Sequence, residues 1–179
     1  VAGGVLDARE IEDAQRTLPE AVFRELYLAE PSDDDDNPFG ASAIAACLAP
    51  LSDQPPVCWG VDLAKSIDYT VAIALDAQGR VCRFERFREP WQETLQKVQR
   101  LTGRTRAAVD STGVGDPIVE ALQRAGTGSF SGVKFTSASK QQLMEGLAVA
   151  IQQQKIRFPD GPIRAELDVF EYEYTRTGV

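Results

Sequence analysis

Two aspartates stand out by where they fall. Asp62 closes the apolar run Val57-Cys58-Trp59-Gly60-Val61, and Asp110 closes Arg106-Ala107-Ala108-Val109. Each stretch reads as a β-strand that ends on its carboxylate. In open α/β sheets, sites form beyond the carboxyl ends of strands, where the chain order reverses. If the two strands are parallel neighbours, both carboxylates project from one edge into one site. Oxygen ligands crowded together there suit a hard cation such as Mg²⁺ or Mn²⁺. Either aspartate alone reads as a cap or a turn former, whereas the pair points to metal. Asp68 lies in the turn that follows Asp62. It is placed either to reach the same metal, to support its ligands, or only to make the turn. Asp116 reads as a helix cap and not as a catalytic group.

Other chemistries find no residues to carry them. Histidine is absent, which excludes histidine-based catalysis and most zinc sites within this stretch. The loop Ser111-Thr112-Gly113-Val114-Gly115 has no following lysine, so it is not a Walker A phosphate loop. Gly113 and Gly115 begin a dinucleotide fingerprint, but Ile118 stands where its third glycine belongs. No GxSxG elbow occurs. Cys47, Cys58 and Cys82 form no CxxC and leave an odd count, which argues for a reducing compartment. Asp33 to Asp36 are four consecutive acids that read as a solvated loop, because a calcium loop would alternate its acids. Lys140, and a basic cluster of Lys97, Arg104 and Arg106 with Arg100, could track a nucleic-acid phosphate backbone. Ordinary solvent exposure explains them equally well.

The elements needed to position the aspartates are legible. Strands are predicted over 57–62, 69–76 and 80–87, the last two joined as a hairpin by Ala77-Gln78-Gly79. A helix over 91–101 follows Pro90. Then come a strand over 106–110, a helix from Asp116-Pro117 to about 125, and a strand over 131–135. A long helix opens at Ser139, with Gln142 completing a capping box, and runs to Gln154. A short extended piece over 156–158 leads to a last helix from Pro162 to about Tyr174. Before all of these, residues 7–29 read as helix, capped by Asp7 and broken at Leu18-Pro19, and 41–51 as a short helix. The order β-β-β-α-β-α-β-α-α is an antiparallel meander followed by parallel crossovers. It predicts an α/β fold with a mixed sheet flanked by helices.

At 179 residues, with 43% hydrophobic and 26% charged, the chain has material for one good core and not for two large domains. No apolar run reaches the length that spans a bilayer, and the start lacks the order of a signal peptide, so no membrane is expected. The net charge of −8 is uneven: residues 1–55 hold 12 acids and 3 bases, and residues 56–179 hold 15 acids and 16 bases. The boundary so drawn separates an acidic helical linker over 1–55 from a near-neutral main domain over 56–179. On charge alone nucleic acid is disfavoured, because surfaces that bind it are usually basic.

The motifs outweigh that charge argument. GVDLAKSIDYTVAIAL (60–75), AVDSTGVGDPIVEAL (108–122), KQQLMEGLAVAIQQQKIRFP (140–159) and ELDVFEYEY (166–174) resemble, in order, the C-terminal nuclease domain of tailed-phage large terminases. LDAREIEDAQRTLPEAVFRELYLAE (6–30) is similar to the segment that joins the terminase ATPase to that nuclease. The resemblance covers nearly the whole chain and implies an RNase H-like fold. It also implies metal-dependent endonuclease cleavage of concatemeric double-stranded viral DNA, by a two-metal mechanism with Mg²⁺ or Mn²⁺. The family's first metal-binding acid maps onto Asp62 and its second onto Asp110; Asp68 matches an extra acid found in part of the family. Implied partners are double-stranded DNA, an ATPase domain of the same polypeptide, the portal and the small terminase subunit, in the host cell cytoplasm.

The family pattern is departed from in two ways. Its third acid usually follows the final helix in a stretch rich in His and Asp. The sequence reaches Thr177-Gly178-Val179 without it, so a third carboxylate is expected beyond residue 179. No Walker A or B motif is present, so translocation would need an ATPase from elsewhere. Two rival enzyme classes share parts of the pattern. GVDLAKSIDYT is similar to the phosphate-binding hairpin of sugar kinases and actin-like ATPases, and resolvases and integrases share the fold that the resemblance implies. A non-catalytic docking module of the packaging motor is the remaining alternative.

Overall fold

Alternating and helical apolar patterns condense into seven α-helices and five strands among the residues described by the computed structural model, which are 7–30, 37–64, 68–112, 116–124 and 128–170. In chain order they are α1 (Ala8–Thr17), α2 (Glu20–Phe23), α3 (Ala41–Ala46), β1 (Cys58–Asp62), β2 (Thr70–Leu75), β3 (Val81–Phe87), α4 (Trp91–Thr102), β4 (Arg106–Asp110), α5 (Asp116–Arg124), β5 (Ser129–Val133), α6 (Ser137–Gln152) and α7 (Pro162–Asp168). A π-helical turn, Arg24–Leu28, follows α2. The acidic run 33–36 and the glycines of the loop after Asp110 lie outside the described residues. Two compact units form: Pro50–Thr136, and the N-terminal part through Ala49 together with the residues from Ser137 on.

The first unit is the sheet, ordered β3-β2-β1-β4-β5. β1, β2 and β3 form the antiparallel meander, while β4 pairs parallel with both β1 and β5. The mixed sheet read from the element order is therefore the one observed. Period-two alternation divides its faces. Trp59, Val61, Ala72, Ala74, Ala107, Val109 and Phe130 point into a core closed by Val98 of α4 and by Val119 and Leu122 of α5. Gly60, Asp62, Ala108 and Asp110 alternate with these residues and face the other way. α4 ends where Gly103 takes a positive φ of 54°, a conformation glycine adopts at no steric cost. The β2–β3 turn is organised by Asp76, whose Oδ1 accepts the backbone N–H groups of Gln78 (2.8 Å) and Arg80 (2.9 Å). Its Oδ2 makes no hydrogen bond of ordinary geometry. The Ser52 hydroxyl first, and then those N–H groups, hold the carboxyl's pKa below the ordinary value against the opposing effect of burial.

Several element boundaries differ from those read in the sequence: the short helix expected over 41–51 ends at Ala46, and the last helix, expected to run to about 174, ends at Asp168. β5 starts at Ser129, two residues before its expected start, because the parallel ladder begins at Arg106↔Ser129 and Phe130 fills the core. α6 likewise starts at Ser137, ahead of the expected Ser139.

In the second unit, α1 and α3 pack against α6, and α3 also meets α7. Phe39, Ile44, Cys47, Ala148, Ile151 and Phe158 are buried there. Asp7 caps α1 as expected, accepting from the Arg9 N–H. The predicted 7–29 helix breaks at Leu18-Pro19 and ends in the π-helical turn. Polar side chains fasten the N-terminal segment to the later helices. Gln152 accepts from the Glu20 N–H (2.9 Å) and donates to the Pro38 carbonyl (3.2 Å), and Asn37 donates to the Leu167 carbonyl (2.6 Å).

Candidate metal centre

The parallel pairing of β1 with β4 runs Trp59↔Ala107, Gly60↔Ala108 and Val61↔Val109. One step further along the same register, Asp62 lies beside Asp110. Side chains at matched positions of neighbouring strands share a face, so the conditional placement read from the sequence is met. Asp62 is exposed and Asp110 half-buried. The Asp62 carboxyl is raised above its ordinary pKa, first by desolvation, then by the charges of Asp110 and of Asp68. Both neighbouring charges thus act on Asp62. Near Asp68, the Ala64 N–H donates to Thr70 Oγ1 (3.2 Å), which ties the end of β1 to the start of β2.

Asp110 is held by its own loop. Its Oδ1 accepts the Thr112 N–H (2.8 Å), and Thr112 Oγ1 in turn accepts the Phe135 N–H (2.8 Å). Between them Ser111 is buried, with its N–H on the Val133 carbonyl (3.0 Å) and its hydroxyl donating to the same oxygen (3.3 Å). β5 passes so close that a Cβ on Gly132 would meet Ser111 Oγ at 3.0 Å and Val119 Cγ2 at 3.1 Å. The strand end that carries Asp110 is thus fixed from both sides, by the carboxylate's own bond to the Thr112 N–H and by the contacts of Ser111 and Thr112 with the end of β5.

The donor set is all carboxylate oxygen, which suits a hard divalent cation, and the mutual repulsion of its charges is what such a cation relieves. Among the described residues, no three Asp, Glu, Cys or His side chains are already drawn together tightly enough to hold an ion. Asp62 and Asp110 are the pair the structure brings together, with Asp68 in electrostatic reach.

The basic residues singled out in the sequence fall elsewhere. Arg106 opens β4, so its Cα lies about 13 Å from that of Asp110 at the ordinary strand rise, and Arg104 precedes it at that far end. Lys97 is engaged within α4's surroundings, 2.9 Å from Glu89 Oε1 and 3.9 Å from the centre of the Phe87 ring. Lys140 is exposed on α6, in the other unit. Arg86, Arg88 and Tyr69 were not singled out. Both guanidinium carbons stand 4.5 Å from the centre of the Tyr69 ring, at the same end of the sheet as Asp62. The alternation Arg86-Phe87-Arg88 was the available signal.

A five-stranded mixed sheet of order β3-β2-β1-β4-β5, with its acids at the carboxyl ends of the adjacent parallel strands β1 and β4, defines an RNase H-like fold. No family model matches the chain. In sequence it is 28% identical over 178 residues to the terminase large subunits of Thermus phage G20c and Thermus virus P23-45, a match covering 90% of this chain and 37% of each relative. The chain thus spans little more than a third of the length of those curated relatives. The crystal structure of the large terminase nuclease from thermophilic phage G20c aligns with a TM-score of 0.66 at 25% identity, covering 76% of this chain and 83% of that one. The same phage nuclease with bound magnesium aligns with a TM-score of 0.68 at 24% identity, covering 83% and 86%. By sequence and by structure, the chain is a homologue of the large terminase nuclease domain of thermophilic phages. Among the described residues, no helix is long and apolar enough to cross a membrane.

Proposed function

We propose that this chain is the metal-dependent nuclease part of a phage DNA-packaging terminase, an endodeoxyribonuclease that cuts concatemeric double-stranded DNA by two-metal phosphodiester hydrolysis. The observation that carries the reading is the side-by-side placement of Asp62 and Asp110 at the carboxyl edge of β1 and β4, in a homologue of terminase nucleases. Asp62 and Asp110 would bind Mg²⁺ or Mn²⁺ directly, with Asp68 as a further ligand or as support. Bound metal would supply a lowered pKa for the attacking water and charge stabilisation for the leaving 3′ oxygen. The Thr112 N–H keeps Asp110 turned by one oxygen, which orients the carboxylate before any ligand arrives. No protein nucleophile is required, in keeping with the absence of histidine. The same reading makes the ATPase part of a terminase, the portal and the small subunit the partners, in the cytoplasm of the host.

Plasmid cleavage tests it. Extended through the expected third carboxylate, the chain should nick or linearise plasmid only when Mn²⁺ or Mg²⁺ is added, and Asp62→Asn and Asp110→Asn should each reduce cutting to background. Cutting that survives both substitutions, or that needs no metal, overturns the reading. So does a wild-type chain that neither cuts nor binds Mn²⁺ by calorimetry.

A further inference from the structure

The register of the sheet lines up residues from all five strands. Val133, Asp110, Asp62, Val71 and Arg86 follow one another across β5, β4, β1, β2 and β3, each beside the next. Matched positions share a face, so Arg86 is on the Asp62 face, two strand spacings or about 10 Å from it. One residue past the ladder pair Thr70↔Phe87, Tyr69 stands beside Arg88. Both arginines are exposed, and the Tyr69 ring, itself 44% exposed, has each guanidinium carbon 4.5 Å from its centre. Stacking on an aromatic face limits where a long arginine side chain can go and holds its charge at the surface of this edge. Charge is distributed to match. The unit Pro50–Thr136 holds eleven bases and ten acids, although the whole chain carries −8.

We infer that Arg86 and Arg88, positioned by Tyr69, grip the phosphate backbone of duplex DNA and seat it across the Asp62–Asp110 edge. The inference rests on the nuclease reading for the identity of the polyanion and adds the residues that hold it. Nucleotides on one strand rise 3.4 Å each, so a grip about 10 Å from the carboxylates falls within about three nucleotides of the bond to be cut. Arginine suits the task because its planar fork pairs with phosphate oxygens in a fixed geometry. These contacts carry no base information, so the grip serves any sequence.

The test is binding of a fluorescent duplex to the full chain in EDTA, followed by anisotropy between 50 and 200 mM salt. Each phosphate contact contributes about 0.9 to the slope of log affinity against log salt. Losing two contacts in Arg86→Gln/Arg88→Gln should flatten the slope by about 1.8, so the fourfold rise in salt weakens the wild type about 12-fold more than the variant. Tyr69→Phe should bind like wild type and Tyr69→Ala more weakly, since only the first keeps the ring. Arg83→Gln/Arg124→Gln removes the same charge elsewhere in the unit and should leave the slope unchanged. A double variant at 86 and 88 with wild-type slope overturns the inference, as does an equal loss in the Arg83/Arg124 pair. Because binding is read without metal, failure of the nuclease reading shows separately, as absent Mn²⁺-dependent cutting.

Discussion

Removing one charge from the acidic edge should make the metal-free protein more stable. Adjacent strands are about 4.8 Å apart, so the carboxylates of Asp62 and Asp110, at matched positions, are separated by about 5 Å. Two unit charges at that distance repel by about 0.8 kcal/mol in water and by about 3 kcal/mol at the effective dielectric of a protein surface. Asp62 is exposed, so the water-like limit governs, and with the added charge of Asp68 the relief in Asp62→Asn comes to about 1 kcal/mol. For a chain of 179 residues that is a rise in Tm of about 2–4 °C. The pH dependence has a definite sign. Because the carboxyl is raised in the folded protein, the native state holds this proton more tightly than the unfolded chain does. Stability is therefore greatest below the unfolded value of about 3.9 and falls as pH climbs through the raised native value. The advantage of Asp62→Asn should be absent near pH 3.5 and full at neutral pH.

Thermal unfolding in EDTA at low salt measures this directly, and high salt should shrink the difference, since the screening length falls to about 3 Å at 1 M. Mn²⁺ should then reverse the ranking. At a hundred times its Kd an ion binding only the native state adds about 2.7 kcal/mol, and the wild type should gain more than Asp62→Asn. A variant less stable than wild type in EDTA at neutral pH refutes the repulsion argument. An equal Mn²⁺ gain in both proteins refutes the assignment of Asp62 as a ligand.

Two other substitutions probe how the edge is held. Gly132→Ala places a Cβ 3.0 Å from Ser111 Oγ and 3.1 Å from Val119 Cγ2; overpacking of this kind costs about 1–3 kcal/mol, which denaturant titration would show, and cleavage should fall as the Asp110 loop shifts. Asp76→Asn keeps an acceptor for the Gln78 and Arg80 N–H groups but removes the charge. Since the Asp76 carboxyl is held below its ordinary value, its stabilisation is present above about pH 3.9 and lost as pH falls through the depressed native value. The variant should melt lower than wild type at pH 7, with the gap closing in acid; a gap that widens there contradicts the assignment.

The strand ends were legible because apolar alternation stops on Asp62 and on Asp110, a purely local pattern. What local pattern could not give is adjacency. The segment between the two aspartates contains two strands and a helix, and only the parallel register of β1 with β4 puts the carboxylates side by side. The boundary of β5 was displaced for the same reason. The ladder starts at the pair Arg106↔Ser129, and that pairing is between segments far apart in sequence. Arg104 and Arg106 drew notice as a cluster along the chain, but a strand carries its two ends to opposite edges of the sheet. Arg86 and Arg88 are brought to the acidic edge by cross-strand pairing with Val71 and with the residue before Thr70, which spacing in the sequence does not encode.

The same distinction resolves the charge argument. A net −8 speaks against a polyanionic partner only if charge is uniform over the surface that meets it. Here the unit with the N- and C-terminal segments holds eight bases and seventeen acids, while the sheet unit is close to neutral. Within the sheet unit the signs are sorted again: along one transverse row, Asp110 and Asp62 are followed through Val71 to Arg86. A phosphate at the arginines meets this local charge, screened over about 8 Å at physiological salt. It still feels the carboxylate pair about 10 Å away. Repulsion from that pair falls once divalent cations neutralise it, so metal and DNA should bind with positive coupling: each raises the affinity for the other by the same factor. An edge that combines an acidic pair with stacked arginines therefore favours the ternary complex of protein, metal and DNA over either binary one.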